Sequence, residues 1–134
     1  MTVAFLGDVQ QERVANVEAI GALSAAAAQP FVLRLDRIGL FRDAGIGWAA
    51  PDEVPAALLR IVETLGEALQ AAGLRVERRA FRPHVTLARR CAGPLSEAAM
   101  PRIEWRVDAL TLMASETLPE GPRYRELKRW KLPE

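Results

Sequence analysis

The single histidine of the chain, His84, stands in the string Arg79-Ala80-Phe81-Arg82-Pro83-His84-Val85-Thr86-Leu87-Ala88-Arg89. Residues 84–88 are short and apolar enough to read as a strand, and strand side chains two residues apart share a face. His84 and Thr86 therefore point the same way, an imidazole that titrates near neutrality beside a hydroxyl that can donate to an oxyanion. Arg82 shares their parity and Arg89 follows the strand. Arginine offers planar, bidentate donors suited to phosphate. A proton-transfer group, a hydroxyl and two guanidiniums are what acid–base phosphoryl chemistry uses. A plainer reading stands beside this one. A lone histidine after proline is often a surface or satisfied core residue, Thr86 suits any strand, and Arg82 and Arg89 could be solvated edge charges. Phe81, Trp48 and Tyr124 could stack a base or simply fill the core.

A weak internal repeat extends the pattern. Met1-Thr2-Val3-Ala4 can be laid over Val85-Thr86-Leu87-Ala88, so that Thr2 falls on Thr86. The residue matching His84 would then lie immediately before Met1.

Other chemistries are poorly served. One cysteine, Cys91, forms no internal disulfide and no cysteine-rich zinc site, and its surroundings carry no base pattern, so it reads as structural. Glu97, Glu104 and Asp108 show no metal-ligand spacing with His84, so no metal is expected. The net charge of +1 argues against nonspecific attraction to nucleic acid. Within it, however, Arg75, Arg78, Arg79, Arg82, Arg89 and Arg90 crowd one stretch opposed by Glu77 alone. All but Lys128 and Lys131 of the 18 basic residues are arginines. No apolar run reaches the roughly 18 residues of a membrane span, and the N-terminus lacks the basic lead of a secretory signal, so a cytoplasmic protein is expected.

The elements that must position these groups follow from periodicity. The 134 residues are expected to form one domain. Residues 2–6 read as a buried strand closed by Gly7-Asp8, and Asp8 with Gln11 has the form of a capping box. Val14, Val17, Ile20 and Leu23 predict a helix over 9–27. Phe31, Leu33 and Leu35 alternate with Val32, Arg34 and Asp36 in a strand, Gly39 to Gly47 reads as a loop, and residues 46–50 as a second strand. Asp52 is a suitable N-cap for a helix over 53–72 that Gly73 stops. After an extended arginine-rich stretch and the His84 strand, residues 103–112 read as one strand and Tyr124 to Trp130 as the last. That order implies an α+β fold with mostly antiparallel pairing.

The string from Arg79 to Arg89 resembles the second signature of the two-histidine (2H) phosphoesterase superfamily. The nearest branch is the bacterial and archaeal RNA 2′,3′-cyclic phosphodiesterases, historically called 2′-5′ RNA ligases. Thr2 to Val9 resembles the first signature with its histidine missing. The ending, Gly121-Pro122, Tyr124, Leu127 and Trp130-Lys131-Leu132, matches in style, so the resemblance runs from Thr2 to Leu132. It implies a two-lobed fold of mostly antiparallel sheets with two main helices, lacking the family's first strand and helix. Either Met1 is an internal methionine of a longer enzyme or the chain is a short form; the close match of Thr2 to Val9 favours the former.

The resemblance further implies metal-independent hydrolysis of RNA 2′,3′-cyclic phosphodiester ends to 2′-phosphomonoesters, with 2′-5′ ligation as the reverse reaction. His84, Thr86 and Thr2 would be the catalytic residues, and Arg89, Arg82 and Phe81 would hold the substrate. No cofactor or metal is implied. The partners would be RNA with a cyclic phosphate end, and nucleotides; no membrane is implied. With one histidine present the chain is expected to be impaired, and the alternative is a degenerate domain that binds nucleotide or RNA without turnover. An uncovered N-terminal lobe is expected to favour self-association.

Overall fold

Val17, Ile20, Gly21, Ser24 and Ala25 recur at helical spacing and form the buried stripe of helix α1 (Val14–Ala26), which a short 3-10 turn (Gln11–Arg13) precedes. The computed structural model describes residues 1–134 throughout. The α1 stripe is rotated from the one expected through Leu23, which is exposed. Gly21 turns inward because the Trp130 ring occupies the place of its missing Cβ. The expected capping box does not form: the helical turn starts three residues after Asp8, and its N-cap, Gln10, makes no side-chain cap bond.

Strand β1 (Phe31–Phe41) runs five residues beyond Asp36, and β2 (Ile46–Ala50) pairs with it antiparallel, so the expected loop shrinks to residues 42–45. Gly39 belongs to the ladder, opposite Trp48, where a Cβ would collide with the indole ring. Here glycine marks a close approach within a strand.

Helix α2 (Ala56–Ala71) buries Leu58, Ile61 and Leu69. It begins at Pro55 and not after Asp52, whose backbone N–H donates to the Asp36 carboxylate at 2.8 Å. Its C-terminus closes as expected on Gly73, at φ +66°. The Gly73 N–H donates to the Gln70 carbonyl and the Leu74 N–H to the Leu69 carbonyl, which is a complete Schellman motif. The Arg13 guanidinium takes up the Ala72 carbonyl and so ties the start of α1 to the end of α2.

The remaining strands are β3 (Val85–Ala88), β4 (Ala98–Val107), β5 (Ala109–Leu118) and β6 (Gly121–Lys131). The single strand expected over 103–112 is in fact two, divided at Asp108, and they enter different sheets. One sheet has the order β3-β2-β1-β4 and the other is the β5-β6 hairpin. All neighbours are antiparallel. The architecture is α+β.

Residues 2–6 do not form the expected strand. No backbone hydrogen bond tethers residues 1–9. Met1 and Val3 pack on the core while Phe5 is 67% exposed. Val3, Ala4 and Leu6 share an apolar cavity with Leu110, Thr111 and Leu112 of β5 instead of a ladder. A strand exists only through its neighbour, and here side-chain packing stands in the place of pairing.

Two clusters form the core. Leu33, Leu35, Ala49 and Leu58 join the four-stranded sheet to α2; Ala25, Ala28, Ile61 and Leu132 join the helices to the hairpin. Helix α2 supplies Leu58 to one cluster and Ile61 to the other, so it holds the two sheets in one body. No helix is long and apolar enough to cross a membrane.

Candidate active site

The site is built on β3 and its neighbours. Val85 packs against the Leu33, Leu35, Ala49 and Leu58 cluster, so His84 and Thr86, on either side of it, face away from that core. Cross-strand pairing agrees. Ala49, a member of the cluster, pairs with Val85, and Trp48 pairs with Thr86. Trp48 thus shares a face with Thr86 and, across β2, with Gly39.

Phe41 reaches that face because β1 changes parity. Leu33 and Leu35 reach the core from odd positions, whereas Ile38, paired with Ala49, reaches it from an even one. The change coincides with a ladder irregularity between Leu35 and Arg37. Beyond it, Gly39 and Phe41 lie opposite the core. The Phe41 ring meets the His84 imidazole edge-on, with centroids 5.0 Å apart and planes at 90°, and its other neighbour is Trp48 at 5.5 Å.

The imidazole is fixed at one nitrogen. Nδ1 lies 2.7 Å from the Arg82 carbonyl oxygen. A carbonyl only accepts, so Nδ1–H is the donor, and in the neutral ring the lone pair is on Nε2. No carboxylate contacts the ring. Nε2 is therefore the nitrogen that can take up or release a proton toward a substrate.

The arginines that flank His84 in the sequence are left without carboxylate partners. Arg34, Arg37, Arg102 and Arg129 are in ion pairs, whereas Arg75, Arg78, Arg79, Arg82, Arg89 and Arg90 are in none. Arg82 and Arg89 are exposed. Just past Arg89 the chain turns sharply. Arg90 takes a left-handed conformation, φ 57°, and the Cys91 N–H donates to the Gly45 carbonyl at 2.9 Å, which ties the end of β3 to the β1–β2 turn. Cys91 Sγ would be 3.4 Å from a Cβ at Gly47, in keeping with a packing role. No group of three or more His, Cys, Asp and Glu side chains comes together in the chain.

The other expected site residues are placed differently. Thr2 is exposed, on the unladdered segment, and makes no hydrogen bond to the His84 group. Met1, which the repeat lays over Val85, packs on the same core cluster as Val85. The next pair of the repeat does not match in this way: Val3 packs on that cluster, whereas Leu87 is exposed. Phe81 is half-buried and packs against that cluster too. The aromatic ring in contact with His84 is Phe41, which sequence reasoning missed. The only signal was Gly39 two residues earlier, in a stretch that reads as a loop.

A histidine just before β3, a threonine two residues on within it, and exposed arginines near them in sequence, on a two-sheet α+β scaffold, are groups that suit phosphoryl chemistry. Residues 1–118 match the 2′-5′ RNA ligase superfamily. The RNA 2′,3′-cyclic phosphodiesterase of Thermus thermophilus is 33% identical over 141 residues, covering 98% of this chain and 71% of the relative. That of Escherichia coli is 33% identical over 138 residues, covering 98% and 74%. The crystal structure of E. coli LigT complexed with 3′-AMP superposes with a TM-score of 0.85 at 27% identity, covering 99% of this chain and 76% of that one. The chain belongs to the 2′-5′ RNA ligase superfamily.

Proposed function

We infer that this chain is an RNA 2′,3′-cyclic phosphodiesterase working in the cytoplasm, with 2′-5′ ligation as its reverse reaction. The observation that carries the reading is His84 with Nδ1 committed to a carbonyl, on one face with Thr86, in a stretch whose arginines have no carboxylate partner. The names of the curated relatives agree with it. In hydrolysis a water oxygen bonds to phosphorus, the P–O3′ bond breaks, and a 2′-phosphomonoester remains. The water loses a proton to a base and the departing 3′-oxygen gains one from an acid. His84 serves one of these steps through Nε2. The Thr86 hydroxyl, Arg82 and Arg89 hold the phosphoryl oxygens where charge develops, and Thr2 is assigned the matching contact from the other half of the repeat.

Residues 1–134 contain one histidine, so they supply one of the two imidazoles that the family resemblance implies. The test is turnover of an oligonucleotide ending in a 2′,3′-cyclic phosphate, by residues 1–134 and by the chain carrying any coding residues upstream of Met1. Conversion by the extended chain, weaker in residues 1–134, supports the reading; no conversion by either refutes it. The single histidine also favours a second reading, a domain that binds nucleotide without turnover. That reading requires affinity for a 2′-phosphorylated nucleotide with no conversion by either form.

Two further outcomes follow. Arg89→Ala should raise KM about tenfold, the scale of one charge-assisted hydrogen bond, with Arg89→Lys in between, read from initial rates. Self-association, which the unladdered segment with its exposed Phe5 favours, should appear in light scattering of residues 1–134; a strict monomer would contradict it.

A further inference from the structure

We propose that Phe41 is a positioning residue for His84, holding the imidazole so that Nδ1–H stays on the Arg82 carbonyl and Nε2 alone exchanges protons with the substrate. The torsion that spins a histidine ring is broad and roughly two-fold. One hydrogen bond to a backbone carbonyl does not by itself stop the ring from turning over. In neutral imidazole free in water the hydrogen prefers Nε2, which would leave the working nitrogen without its lone pair. The surroundings must therefore select the other tautomer.

The ring of Phe41 stands perpendicular to the imidazole with centroids 5.0 Å apart, within the range of a favourable edge-to-face pair. Rotation of the imidazole out of its plane would lose this contact together with the Arg82 bond. Phe41 is in turn supported by Trp48, 5.5 Å away, whose indole lies over Gly39 where a side chain would collide with it. Trp48 is 9% exposed, so this support is part of the packed interior. Phe41 reaches the imidazole only because β1 changes parity between Leu35 and Ile38. A core made simply to bury apolar surface has no need of that change.

The test uses the fact that the chain has one histidine. In uniformly 15N-labelled protein the two ring nitrogens give one unambiguous pair of signals, read by long-range 1H–15N correlation at a pH where the ring is neutral. The wild-type chain should show the Nδ1–H tautomer. Phe41→Ala and the shape-preserving Phe41→Leu should move both nitrogens toward the averaged values of a ring mostly protonated at Nε2, and Phe41→Tyr should restore the wild-type pair. In the form of the enzyme that turns over, Phe41→Leu should lower kcat about tenfold with KM changed by less than about twofold, and Phe41→Tyr should recover it. The kinetic part rests on the phosphodiesterase reading, whereas the tautomer part does not, so failure of one is distinguishable from failure of the other. The proposal is overturned if the wild-type ring carries its hydrogen on Nε2. It is equally overturned if folded Phe41→Leu, judged by circular dichroism, keeps the Nδ1–H tautomer and wild-type kcat.

Discussion

His84→Ala is expected to lower turnover of a 2′,3′-cyclic phosphate end by about 10²–10⁴-fold, the usual contribution of one positioned acid or base. The substitution removes the imidazole, and with it the Nε2 that the proposed mechanism uses for proton transfer. It should leave folding almost untouched. His84 precedes β3 and contributes no side chain to either core cluster, so the far-UV spectrum and the urea midpoint should stay near wild type. His84→Asn sharpens the result. Its amide can still donate to the Arg82 carbonyl but cannot act as a base, so an equal loss would separate proton transfer from positioning. End-labelled oligonucleotide under single-turnover conditions reads both variants. Activity retained by a folded His84→Ala protein would remove His84 from the mechanism.

Leu33→Ala is expected to cost about 3–4 kcal/mol. Leu33 is 0% exposed and lies at the centre of the cluster that joins the four-stranded sheet to α2. Its removal opens a cavity between Leu35, Ala49 and Leu58, whose backbones are held by ladder and helix and cannot close it. Against a typical total of about 5–15 kcal/mol, the loss is large enough to shift the urea midpoint plainly. Val85 packs on the same cluster, so the cavity would also loosen the strand that carries His84 and Thr86. A change below about 1 kcal/mol would show that the cluster is not the support of the site.

The site motif was legible because period-two spacing survives in four residues. His84 and Thr86 share a parity, and in the structure they stand on either side of Val85, which packs on the core, although β3 itself begins only at Val85. Phe41 was not legible, because the parity change in β1 arises from the ladder with β4, residues far away in sequence. Before it the odd residues Leu33 and Leu35 are buried; after it the even Ile38 takes over, and no local pattern announces the switch. The two helices were visible in their apolar stripes, and the end of α2 in Gly73. The start of α2 was not, because the Asp52 amide is engaged by Asp36, a tertiary contact. In residues 103–112 the apolar residues are odd through Ala109 and even from Leu110, but a change of parity does not by itself say that the chain passes from one sheet to the other. Residues 2–6 have the composition of a strand, but composition does not provide the neighbour that a strand must pair with.

The most direct test of the account is the fate of a 2′,3′-cyclic phosphate oligonucleotide followed by phosphorus NMR in the presence of EDTA, with the chain carrying any coding residues upstream of Met1. The account predicts a 2′-phosphomonoester as product, at a rate indifferent to the chelator and lost in His84→Ala. A 3′-phosphomonoester, or turnover that the chelator abolishes, would contradict it.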